Sequence, residues 1–91
     1  MKTKFQVGQK VRSKISKEPY YSGYAGNPVV TITLDMVGTI GAVNVPAVRG
    51  SKPYFHCVDY VIPEVFSGNP IHGHNVWRAS FHEDELEPVK E

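Results

Sequence analysis

Hydrophobic and polar positions alternate over several short stretches of this chain, and the alternation is broken by clusters of glycine, proline, asparagine and serine. That period of two predicts strands rather than helices. Residues 36–45, MVGTIGAVNV, carry the strongest signal. β-Branched residues run through them, with Gly38 and Gly41 inside the run, the pattern of a central strand that bends at bulges or lets another chain segment approach its backbone. Residues 5–15, FQVGQKVRSKI, alternate as a first strand: Val11, Ser13 and Ile15 face one way, and Lys10, Arg12 and Lys14 face solvent. Gly8 fits a turn or bulge at its start, and Phe5 and Val7 cover one end of the core.

Residues 29–34, VVTITL, read as a further β-forming stretch that pairs with a neighbour. Residues 54–62, YFHCVDYVI, split into a Tyr54, His56, Val58, Tyr60 face and a Phe55, Cys57, Asp59, Val61 face. The second set is the more apolar, and a bulge or strand end near Asp59 would relieve the conflict of a carboxylate there. In the strand that begins at Val76, Trp77, Ala79 and Phe81 form the core side, opposite Val76, Arg78 and Ser80. Residues 82–86 are too few for a stable helix and suit one 3₁₀ turn, after which residues 87–89 return as a closing strand and Leu86 plugs the end of the core.

Two stretches cannot continue a ladder and read as long loops, 17–28 and 63–75. The first holds Tyr20, Tyr21 and Tyr24 and the second Phe66, aromatic residues suited to recognition or to shielding the sheet. The expected fold is therefore all-β, a single five-stranded barrel domain over 1–91, with two long loops and a 3₁₀ turn before the last strand.

At 91 residues, 41% hydrophobic and 21% charged, the chain has the composition of one ordinary globular domain, of a size at which oligomerisation often helps. No segment approaches the length of a membrane span, and the N-terminus lacks an apolar signal region, so a cytoplasmic location without a membrane partner is expected. Six of the ten basic residues fall in the first 17 positions, while Glu83, Asp84, Glu85, Glu87 and Glu91 crowd the end. If first and last strands are neighbours, these charges offset one another.

Candidate chemistry is sparse. Cys57 adjoins His56, but neighbours on a strand point to opposite faces, which argues against a thiol activated by that histidine. His72 and His74 form an HxH pair, half of a metal site, which His56, His82 or Asp84 would have to complete. The Gly38–Gly41 spacing lacks the helices of a dinucleotide-binding or KH loop. Glu83, Asp84 and Glu85 sit together in a turn rather than on facing pocket walls. Neither a cofactor nor a catalytic residue is expected, and an enzyme is less expected than a binding module.

The landmarks FxVGxxVR (Phe5 to Arg12), GTIGAV (Gly38 to Val43) and FHEDELEPV (Phe81 to Val89) resemble those of small bacterial SH3-like barrels. These include the barrel of nitrile hydratase β-subunits, the E subunit of photosystem I and the variable chain of ferredoxin-thioredoxin reductase. The resemblance implies non-catalytic docking onto a partner. A likeness to type II dihydrofolate reductases rests on Gly8 to Ser13, but their VQIY pore motif is missing here. Three expectations follow. The first is binding of a protein partner, or self-association, through Tyr20, Tyr21, Tyr24 and Phe66. The second is nucleic-acid binding through Lys10, Arg12 and Lys14 with tyrosine stacking. The third is a ligand pocket or small enzyme built at an oligomer interface around His56, His72 and His74.

Overall fold

The computed structural model describes residues 3–24, 26–48, 50, 52–65 and 75–89. Five strands, β1 (Lys10–Ser13), β2 (Gly38–Pro46), β3 (Tyr54–Val61), β4 (Val76–Phe81) and β5 (Leu86–Pro88), form one antiparallel sheet in the order β4-β3-β2-β1-β5. A 3₁₀ turn, Glu83–Glu85, joins β4 to β5. It is closed by the Glu85 carboxylate, which accepts from the His82 N–H at 2.8 Å. The all-β fold with its 3₁₀ turn before the last strand is the one expected, but the strands do not close into a full barrel: β4 and β5 remain the two edges.

β2 is the organising strand because it alone pairs with both β1 and β3, and its register slips twice against β3, between Ile40 and Ala42 and between Ala42 and Val45. These bulges curl the sheet over one hydrophobic cluster. Phe81 at the β4 edge and Leu86 on β5 share that cluster with Val11, Ile40 and Val58, although the two edges of a flat five-stranded sheet lie about 19 Å apart. Both glycines of β2 serve close approach. A Cβ on Gly38 would stand 2.4 Å from Val58 Cγ1 and 2.8 Å from Tyr60 Cε1; one on Gly41 would stand 2.4 Å from Arg78 Nη2 and 2.5 Å from Asp59 Oδ2.

β4 presents Trp77, Ala79 and Phe81 inward as expected, opposite Tyr60, Val58 and His56 of β3. β3 thus turns in the face with the polar ring atoms, not the more apolar set. The reason is Asp59, which lies across the sheet from Arg78 and receives a two-pronged bond from it, Nε to Oδ1 at 2.7 Å and Nη2 to Oδ2 at 2.9 Å. A carboxylate turned inward would lose that partner, whereas the uncharged phenol of Tyr60 costs less to bury and His56 has partners on both ring nitrogens.

Residues 29–34 do not form the expected strand; only an isolated bridge between Ile32 and Lys17 remains. The Ser22 hydroxyl takes the place of a partner strand, accepting from Val30 N–H at 2.7 Å and donating to Val30 C=O at 2.9 Å. A turn closed by Met36 N–H on Thr33 C=O then ends the extended segment. Val30 and Ile32 are nevertheless buried. β1 is also shorter than expected: beyond Ser13 the Lys14 N–H turns to Glu85 C=O, leaving Ile15 exposed, and Val7 lies outside while Phe5 is buried. The outward carbonyls of the β4 edge are taken by the first long loop, Arg78 C=O by Tyr20 N–H at 2.9 Å and Ser80 C=O by Lys17 Nζ at 2.6 Å. Such coverage blunts an edge that another chain could otherwise extend.

Candidate binding cleft

Pinning the first loop to β4 has a functional consequence: it stands Tyr20 beside the end of the sheet, facing the β2–β3 hairpin. Between them lies a cleft of about 230 Å³. Tyr20 forms one wall, Ala47, Val48 and Phe55 the other, and the Ser80–His82 stretch with Lys17 the floor. Val48 is almost wholly exposed at the hairpin and Tyr20 is 44% exposed. On the other side of His82 a second depression of about 380 Å³ runs between Lys52, Pro53, Tyr54 and the acidic turn of Glu83 and Asp84. The His82 Nδ1–H, directed at Tyr54 C=O across 3.2 Å, braces the ridge between the two.

Electrostatically the two depressions differ. In the second, each carboxylate is engaged. Lys52 Nζ bonds Asp84 Oδ2 at 2.5 Å and holds that carboxyl below the usual range. The Thr3 hydroxyl, first, and then His56 and the Lys4 N–H hold the Glu83 carboxyl below its ordinary value. In the first cleft Lys17 sits with its ammonium 5.1 Å from the Phe81 ring centroid, donating to Ser80 C=O. Its described contacts include no carboxylate.

Beneath the acidic turn lies His56, only 3% exposed. The second bulge of β2 leaves two residues opposite it, and there Asn44, with a left-handed φ of 51°, aims its N–H at His56 Nδ1 at 3.1 Å. That fixes the ring proton on Nε2, from which it reaches Thr3 Oγ1 at 3.3 Å and Glu83 Oε1 at 3.4 Å. The polarity is wrong for activating a nucleophile, because the ring donates toward the hydroxyl and its one acceptor is already used. With Phe5 packed edge-on at 5.9 Å, the cluster fastens the N-terminal segment to the 3₁₀ turn.

Of the described residues singled out from the sequence, Tyr20 and His82 line the cleft. Tyr21 has a left-handed φ of 68° and gives its carbonyl to Asn27 and Tyr24, while Tyr24 is 68% exposed on the loop away from the cleft lining. Phe66, His72 and His74 lie outside the described residues. Among those described, no three histidine, cysteine or acidic side chains come together to hold a metal ion. Cys57 is buried, and its burial pushes the thiol up, away from a reactive thiolate. On β1, Lys10 donates to Thr39 Oγ1 at 2.7 Å and Arg12 stands directly across from Glu87 of β5. The neighbouring first and last strands therefore set basic and acidic residues side by side, as the charge distribution predicted. Lys14 is exposed.

Sequence reasoning missed Lys17, Val48 and Phe55. A valine in an otherwise turn-forming stretch, PAVRGSKP, is the one signal that pointed to an exposed apolar contact. Compared with family models, with characterised proteins and with solved structures, the chain matches none of them. Among the described residues no helix is long and apolar enough to cross a membrane.

Proposed function

We propose that this protein is a non-catalytic binding module that takes a short segment of a protein partner, or of a second copy of itself, into the cleft between Tyr20 and the β2–β3 hairpin. One observation carries the reading: Tyr20, Phe55 and Val48, brought from two separate loops and a strand, converge on a recess whose walls are tied in place by backbone hydrogen bonds. A preformed aromatic and aliphatic recess binds without first ordering its own walls. At about 230 Å³ it is smaller than the ~300 Å³ at which small-molecule sites begin, and it suits one or two side chains of a peptide. The five strands, the first long loop and the 3₁₀ turn before β5 also support the resemblance to SH3-like barrels, whose implied role is docking.

Selection of random peptides displayed on phage tests this directly. Peptides enriched on the wild-type protein are expected to lose at least about tenfold in affinity for Tyr20→Ala and for Phe55→Ala, the cost of a central aromatic contact. Enriched peptides that bind both variants as well as wild type would place binding elsewhere and refute the proposal. Light scattering at two protein concentrations separates a second copy from a different partner, because only self-association makes the mass depend on concentration.

A further inference from the structure

The charges around the cleft identify the chemistry of its partner. Arg78 is committed to Asp59 and Lys52 to Asp84. Glu83 is committed to Thr3, Lys4 and His56. Lys17 has no such partner among the described residues, yet its charge is held in place. Its backbone is bridged to Ile32, its ammonium donates to Ser80 C=O at 2.6 Å, and its charge lies over the Phe81 ring. One bond to a carbonyl leaves two of three ammonium protons for a ligand. Lys17 is itself half-buried beside Tyr20 and Phe55, so an ion pair made there is screened somewhat less than one between two fully exposed side chains.

Resting on the binding-module reading, we propose that Lys17 receives the carboxylate of an extended acidic segment of a protein partner, in which an aspartate or glutamate adjoins an aromatic or aliphatic residue. The carboxylate meets Lys17 on the floor, and the neighbouring apolar side chain packs between Tyr20 and Val48. A nucleic acid is disfavoured although it too is anionic. The basic strand β1 offers no continuation of the cleft's charge, because it sets Glu87 against Arg12. A polyanion needs several phosphates contacted together, whereas a single peptide carboxylate needs only Lys17.

The test uses the full chain, isotope-labelled, titrated with the peptide acetyl-Gly-Glu-Leu-Glu-Phe-Gly-amide and with its counterpart carrying glutamine at both glutamates. Amide signals of Tyr20, Val48, Ser80 and His82 are expected to shift with the acidic peptide. Affinity for it should exceed that for the glutamine peptide about tenfold, the worth of one charge-assisted hydrogen bond. Lys17→Met should erase that preference and Lys17→Arg should keep it. If Lys17→Met loses its dispersed spectrum, salt serves instead. Raising sodium chloride from about 50 mM to about 500 mM should weaken the acidic peptide and leave the glutamine peptide unchanged. Equal affinity for the two peptides would overturn the acidic assignment while leaving the cleft a binding site. A wild-type spectrum unmoved by millimolar acidic peptide would overturn it too. So would a thymidine oligonucleotide that shifts the same amides at lower concentration. Failure of the module reading looks different: selected peptides would then be indifferent to Tyr20→Ala.

Discussion

Gly38→Ala tests whether β2 bends for the reason given. A methyl group at this position would lie 2.4 Å from Val58 Cγ1 and within 2.9 Å of two Tyr60 ring atoms, where unstrained carbons stay about 3.5–4.0 Å apart. Val58 and Tyr60 are 0% and 1% exposed, so neither has free space to retreat into. Overpacking of that kind costs about 3 kcal/mol, and the lower conformational entropy of alanine returns about 0.5–1 kcal/mol. The net loss is about 2 kcal/mol, a fall of roughly 10 °C in Tm for a domain of this size. Gly41→Ala provides the contrast. Its methyl meets the ends of Arg78 and Asp59, side chains about a quarter exposed that can swing outward. The ion pair loosens, alanine offsets part of that, and the net change stays within about 1 kcal/mol. Urea unfolding followed through the buried, single Trp77 reads both variants. A cycle with Val58→Ala adds a second criterion: the double variant Gly38→Ala/Val58→Ala should be less destabilised than the two single changes added together. A Gly38→Ala protein as stable as wild type, or less affected than Gly41→Ala, would refute the close-approach account of the central strand.

Three further outcomes are expected. The folded-state pKa of Glu83 is depressed, so its contribution to stability is complete above its ordinary carboxylate value near 4.5 and fades as pH falls through the lower folded value. Glu83→Gln should therefore flatten the loss of stability between about pH 5 and about pH 3 and cost about 1 kcal/mol at neutral pH, both read by urea unfolding across pH. Arg78→Met removes a bidentate partner from Asp59 and should cost about 1–3 kcal/mol, more than an exposed pair and less than a fully buried one; adding Asp59→Asn should recover part of it, as a double-mutant cycle will measure. Ser22→Ala strips both bonds from Val30 and should cost about 1–2 kcal/mol, with faster amide exchange at Val30 and Ile32 in hydrogen-exchange experiments.

What could be read from the sequence was what local chemistry decides. Two glycines in a β-branched run marked β2 and its bulges, strict alternation placed Trp77, Ala79 and Phe81 inward, and a short acidic stretch after β4 gave the 3₁₀ turn. Errors arose where a distant group settled the matter. Residues 29–34 have strand composition, but the Ser22 hydroxyl occupies the backbone of Val30. The inward face of β3 depends on where Arg78 meets Asp59, which hydrophobicity alone does not reveal. The cleft was the least visible feature. Tyrosine content drew attention to residues 20, 21 and 24, but a left-handed turn at Tyr21 sends them apart. Lys17 and Phe55 join Tyr20 only because the loop docks on the β4 edge.

The central claim is that binding takes place between Tyr20 and the β2–β3 hairpin, and the most direct measurement is the amide NMR footprint of the tightest peptide selected on the wild-type protein. The account predicts shifts concentrated at Tyr20, Ala47, Val48, Phe55 and Ser80 through His82, with Lys10 through Lys14 and Tyr24 unmoved. A footprint centred on β1 or on the exposed Tyr24 side of the loop would contradict it.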